Sequence, residues 1–137
     1  MNLETYCFNI NSFNQAVEVI QISKKKKIVP ILFFKYYLIN GFGTDWLNEL
    51  KDLLLEKFQT KDFKIFVETK KNYALFINLV QNEMNYLSVD ADKETMKRLN
   101  QIANLNKVVI NPPFSVVDVS KSKNIILKLK KLYNNIY

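Results

Sequence analysis

The stretch Ile28-Val29-Pro30-Ile31-Leu32-Phe33-Phe34 is apolar at consecutive positions, with none of the alternation of a half-exposed strand. A strand that reads this way is covered on both faces, and such strands belong to parallel sheets. Pro30 has no N–H to give to a ladder, so it falls near the start of the strand. Parallel neighbours in turn need long crossover connections, usually helices. This run therefore sets the class of fold, and the remaining residues supply the crossovers.

Residues 5–10 read as a first strand closed by Asn9-Ile10-Asn11, and Ser12 is placed to cap a helix carrying Phe13, Ala16, Val17 and Ile20. That helix runs out in Lys24, Lys25, Lys26 and Lys27, which suit the negative end of its dipole. The apolar run after Phe34 continues through Tyr36 to Ile39 and meets the two glycines, Gly41 and Gly43. A second helix follows, with Trp46, Leu47, Leu50, Leu53, Leu54 and Phe58 in one stripe and Thr44 or Asp45 as its cap. Residues 63–67, 86–89 and 108–110 read as further strands. Asn72 caps a helix with Tyr73, Phe76, Ile77, Leu79, Val80 and Met84 inward, and Asp92 caps one with Met96, Leu99, Ile102 and Ala103 inward. Residues 115–119 fit a short extra strand or edge segment. Residues 123–137 form a C-terminal amphipathic helix with Ile125, Ile126, Leu129, Leu132, Tyr133 and Ile136 on one side. Leu127 falls on its polar side and has no account in a simply docked helix.

Alternation of this kind predicts a single α/β domain over residues 1–137: a five-stranded, mostly parallel open sheet with helices on both faces, a flavodoxin-like three-layer sandwich. A STAS-like or half-barrel-like arrangement is the alternative. No apolar run reaches the roughly 18–20 residues of a membrane span, and the start of the chain lacks the basic and apolar regions of a signal peptide. The expected location is the cytoplasm or an organellar matrix.

Composition narrows the chemistry. The chain has no histidine, which removes the commonest general base and metal ligand, and Cys7 is alone in an apolar strand, the setting of an inert buried thiol. Neither a metal site nor a cofactor is expected. The net charge of +7 comes almost wholly from lysine, since Arg98 is the only arginine. Such an excess favours acidic partners or phosphate, and it is also the mark of AT-rich codon usage, the reading that the abundance of lysine, asparagine and isoleucine favours. The scarcity of arginine weakens base-specific readout, which relies on its bidentate fork.

In an open parallel sheet ligands bind beyond the carboxyl ends of the strands. The candidates there are Asn9, Asn11, Gly41, Gly43, Thr44, Glu68, Thr69, Asp90 and Asn111. The segment 40–45 offers two glycines before a helix, a setting for an anion. It is neither G-x-G-x-x-G nor a P-loop, and Asp45 puts negative charge where a phosphate would sit. A tight turn that lets Trp46 pack against the sheet explains the same residues. The acidic groups of a phospho-acceptor receiver are replaced by Asn9, Asn11 and Glu68.

Gly43-Thr44-Asp45-Trp46, residues 63–68, residues 87–90 and residues 99–103 together resemble small α/β proteins of alphaproteobacteria with no assigned function. In those proteins a Gly/Trp turn opens a helix and a later strand ends in Asp-Cys-Gly; this chain has Glu68-Thr69-Lys70 at that place. The resemblance implies the fold and a bacterial or organellar AT-rich origin, and it brings no activity.

The sequence thus predicts a non-catalytic protein-interaction or regulatory domain, with a protein partner or self-association. One alternative is a basic protein that binds RNA, DNA or the ribosome non-specifically through Lys24, Lys25, Lys26, Lys27, Lys128, Lys130 and Lys131. The other is small-anion binding at the 40–45 turn.

Overall fold

A computed structural model describes residues 6–134. Their strands are β1 (Cys7–Asn9), β2 (Ile31–Phe34), β3 (Lys64–Glu68), β4 (Tyr86–Ser88), β5 (Val109–Ile110) and β6 (Val116–Asp118). Their helices are α1 (Phe13–Lys25), α2 (Tyr36–Phe42), α3 (Thr44–Lys57), α4 (Tyr73–Val80), α5 (Lys93–Leu105) and α6 (Ile125–Asn134). A 3-10 turn, Thr60–Asp62, precedes β3. Thr5 and Ile136, assigned from sequence to the first strand and the last helix, lie outside the described residues.

The strands form one parallel α/β sheet in the order β5-β4-β3-β2-β1-β6. The run that reads as covered on both faces is so: Ile31, Leu32, Phe33 and Phe34 are all buried. Three caps sit where the sequence puts them, with Ser12 Oγ, Asn72 Oδ1 and Asp92 Oδ1 accepting from the N–H groups of Gln15, Leu75 and Thr95. The sheet has six strands rather than five because residues 116–118 pair with β1, Cys7 opposite Val116 and Asn9 opposite Asp118.

The layers follow the half-barrel-like alternative rather than the flavodoxin-like one. Strands β1 to β5 add in chain order, and right-handed crossovers between strands so ordered place their helices on the same face. The packing agrees. Phe8, Leu32, Phe34, Ile65, Val67 and Leu87 share one core with buried residues of all six helices. The alternate set, Cys7, Ile31, Phe33 and Phe66, forms a second cluster with Tyr86 and Phe114 and holds no helical residue.

Phe114 belongs to the link between β5 and β6, which lie at opposite edges of the sheet. From Ile110 to Val116 the chain can extend about 20 Å. A flat six-stranded sheet is about 24 Å from edge strand to edge strand, and the link must also return to the start of a parallel strand. The sheet therefore curls toward its helix-free face, and the link crosses that face. The Phe114 ring lies 6.1 Å from Phe66 and 5.0 Å from Tyr86, edge-on to both.

On the other face α6 docks against α1. Ile125, Leu129 and Tyr133 are buried, and the Tyr133 ring meets Tyr6 and Phe8 edge-on at 5.0 and 6.3 Å. Its hydroxyl shares a 2.6 Å hydrogen bond with Ser23 Oγ, and both residues are fully buried. Burial outweighs the Ser23 bond and pushes the Tyr133 phenol up to about 12. Burial likewise pushes the Cys7 thiol up to about 12, which makes it inert at neutral pH.

A raised acid pKa in the folded state means that the native protein keeps a proton the unfolded chain gives up. The stability from Cys7 and Tyr133 is therefore whole below their ordinary values of 9.0 and 10.0 and is lost as pH rises toward about 12. Tyr133→Phe should cost about 1–2 kcal/mol at neutral pH by stranding Ser23, and it should flatten the fall above pH 10; urea unfolding across pH reads both.

Candidate functional site

The carboxyl ends of the strands gather most of the predicted polar residues on one rim, where the fold itself occupies several of them. Glu68 ends β3, and its Oε1 accepts from the backbone N–H of Tyr36 at 3.0 Å. It thus satisfies the first turn of α2 from the neighbouring strand. Thr69 is fully buried, and both its N–H and its hydroxyl donate to the Ser88 carbonyl at 2.8 and 2.7 Å. Asn111 adopts the left-handed region at φ 50°. Its side chain accepts from the Val89 N–H at 2.8 Å and donates to the Val89 carbonyl at 3.0 Å. One amide thereby extends the sheet past the end of β5. Asn11 Oδ1 accepts from the Tyr37 hydroxyl at 3.0 Å.

Asn9 is buried on the helix-free side of β1, opposite Asp118. Its Nδ2 donates to Asp118 Oδ1 at 3.1 Å, which fixes the amide orientation and leaves Oδ1 without a partner among the described residues. Asp118 also accepts from the Ser120 hydroxyl at 2.6 Å and the Ser120 N–H at 3.0 Å. These two bonds hold its carboxyl below the usual range against partial burial, with smaller help from the Lys35 charge and the Asn9 amide.

One open cleft lies on this rim, lined by Tyr36, Lys70, Lys71, Asn72 and Asp90. Lys70 Nζ stands 5.9 Å over the Tyr36 ring, and Asn72 Nδ2 donates to the Tyr36 hydroxyl at 3.3 Å. Such a cleft can hold a small polar group by lysine contact and hydrogen bonding. Neither ion pair among the described residues involves Glu68 or Asp90, and no described group of three or more Asp, Glu or Cys side chains could hold a metal ion. Sequence reasoning missed Tyr36, because the continuous apolar run hides the end of β2, and missed Asp118, because its approach to Asn9 depends on the pairing of β6 beside β1.

The glycine turn follows a short helix rather than the strand end itself. The apolar run breaks at Lys35, and residues 36–42 form α2 instead of extending β2, so a helix about 10 Å long separates Gly41 and Gly43 from the strand end. Gly41 lies inside that helix. Gly43 turns the chain at φ 89° and occupies the N-cap position of α3, with no side-chain cap bond; Thr44 and Asp45 are already helical. Trp46 packs edge-on to Phe34 at 6.1 Å and against Phe42 at 5.2 Å, as a packed turn requires.

The predicted basic residues divide between two ends. Lys24, Lys25, Lys26 and Lys27 lie where α1 returns to the start of β2, and the Ser23–Tyr133 bond brings Lys130 and Lys131 to the same amino-terminal rim. Lys24 pairs there with Asp62 at 3.3 Å. Lys128 belongs to the opposite end, where its Nζ donates to the Asp118 carbonyl at 2.6 Å.

No protein-family model and no curated protein matches the sequence. The fold is similar to the crystal structure of a protein assigned as a fructose-1,6-biphosphate aldolase from Coccidioides immitis, with a TM-score of 0.62 at 9% identity. The likeness covers 78% of this chain and 44% of that one, so the chain spans under half the length of its structural neighbour. At that identity it is a likeness of fold alone.

The two glycines should respond oppositely to the same substitution. A Cβ added at either would meet no heavy atom within 4 Å, so backbone conformation decides. Gly41→Ala should stabilise by about 0.5–1 kcal/mol as an ordinary helical position, and Gly43→Ala should destabilise by about 1 kcal/mol; thermal or urea unfolding of the pair checks this.

Proposed function

We propose that this chain is a non-catalytic α/β interaction domain, a regulatory module or a subunit of a larger assembly, working in the cytoplasm or an organellar matrix. The observation that carries the reading is the use of the strand-end polar groups. Glu68 caps α2, Thr69 and Asn111 bind strand backbone, and Asp118 is engaged by Ser120 and Asn9. Residues where an α/β enzyme would keep its chemistry are here holding the fold together.

The outer side of α6 is a surface for a protein partner. Its inner face is filled by Ile125, Leu129 and Tyr133, while Ile126 and Leu127 remain 39% and 50% exposed. Leu127, unexplained by docking to the chain's own sheet, has a role if a second protein covers this side.

The chain, isolated at native abundance under mild conditions, should migrate with a stoichiometric protein partner or as its own oligomer. A thermal-shift panel of nucleotides, sugar phosphates and carboxylic acids should leave its Tm unmoved. A lone monomer whose Tm rises with one panel member, with the rise abolished by Lys70→Ala in the open cleft, would contradict the proposal.

A further inference from the structure

Parallel strands with returning helices bring every helix C-terminus of the crossovers to the amino-terminal rim of the sheet. To the six lysines already placed there, the chain adds Lys57 at the end of α3, Lys61 in the following turn, Lys64 at the start of β3 and Lys107 between α5 and β5. Nine of these ten are exposed, and Lys26 is intermediate. Against them stand Glu56, Asp62 and Glu83 on the same return segments. At the opposite rim Lys35, Lys70, Lys71, Lys121, Lys123 and Lys128 are mixed with Glu68, Asp90, Asp92 and Asp118. The formal excess of +7, spread through the sequence, is thus gathered at one end of the molecule.

Helix dipoles favour lysine at these positions, but they do not account for the apolar side chains exposed among them. Leu105, the last residue of α5, is 85% exposed, and Val29 and Val109 on the same rim are 45% and 52% exposed. Lys27 and Lys107 occupy the left-handed positions just after α1 and α5, at φ 58° and 60°, where glycine is the usual residue. Glu83 takes the same conformation in the turn after α4, at φ 58°, so the backbone cost is not specific to lysine; what the dipoles leave unexplained is the aliphatic side chains that project to solvent beside Lys27 and Lys107.

We infer that the amino-terminal rim docks on an anionic bilayer surface, with the lysines at the headgroups and Leu105 and Val29 dipping between them. The aromatics beside these lysines, Tyr86 and Phe58, are half-buried, while the aliphatic Leu105, Val29 and Val109 project to solvent; with arginine nearly absent, that matches a lipid surface better than a nucleic acid, which is held by arginine forks and stacking on exposed aromatics. No described helix is long and apolar enough to cross a membrane, so the contact is peripheral. Each lysine near an anionic bilayer contributes about fivefold in affinity, and a rim of this size gives reversible binding that weakens with salt. The inference goes beyond the interaction reading and uses a different surface from the outer side of α6.

Pelleting with vesicles of equal parts phosphatidylglycerol and phosphatidylcholine tests it, with phosphatidylcholine vesicles as the control. The whole chain should pellet with the anionic vesicles at low salt and stay in solution with the neutral ones. K27G/K107G should weaken binding about 25-fold while Tm holds or rises, because glycine relaxes both backbones. L105S should weaken binding several-fold with its salt dependence retained. Absence of pelleting with anionic vesicles, or pelleting indifferent to both variants, overturns the inference. Retention of single-stranded RNA at the same low salt without vesicle pelleting overturns it in favour of a nucleic-acid surface. These outcomes are separate from the protein-partner experiment, which reads a complex in the absence of lipid.

Discussion

The five residues between β5 and β6 are the constraint on which the rest of the structure depends. They join opposite edges of a parallel sheet with too little chain to span it flat, so the sheet must curl. Curling separates the two faces in kind. The convex face takes all the helices and the larger core. The concave face is narrow enough for a single aromatic, Phe114, to cover Phe66 and Tyr86 together with Phe33, Ile31 and Cys7 behind them. A short covalent link thus does what further strands would do in a closed parallel barrel.

The same geometry explains the fate of the polar residues. Curling brings β6 back beside β1, which sets Asp118 against Asn9 at a place where no local sequence pattern joins them. The sheet ends raggedly at β5, and the Asn111 side chain completes it by standing in for a strand residue opposite Val89. The carboxyl rim therefore carries polar groups that are structural in their contacts, and the open cleft beside Tyr36 is left with flexible lysines and one carboxylate. At the other rim, the convergence of helix C-termini turns a diffuse basic composition into a localised one.

Much of the architecture is legible in the sequence. The doubly buried β2 and the caps at Ser12, Asn72 and Asp92 follow from local patterns, which leave residues 116–118 open between a short strand and an edge segment. The misread places share one physical cause. Tyr36 to Ile39 look like more strand because a short apolar run has no period that distinguishes a buried strand from a helix; Glu68, a residue from another strand, settles the matter by capping α2. Helices on one face rather than two depend on strand order, which no local pattern encodes. Glu68, Thr69 and Asn111 are correctly placed at strand ends, but their engagement in hydrogen bonds is a tertiary fact. The glycine pair reads as one feature in sequence and divides in space, one residue helical and the other a left-handed corner.

The central claim is that the β5–β6 link holds the curl. Native-state hydrogen exchange on a variant with Gly-Ser-Gly inserted between Pro113 and Phe114 tests it most directly. The account predicts that amides of β6 and its partner β1 lose protection selectively, while β2 and β3 keep theirs. Protection of β6 and β1 equal to that of the unaltered chain would contradict it.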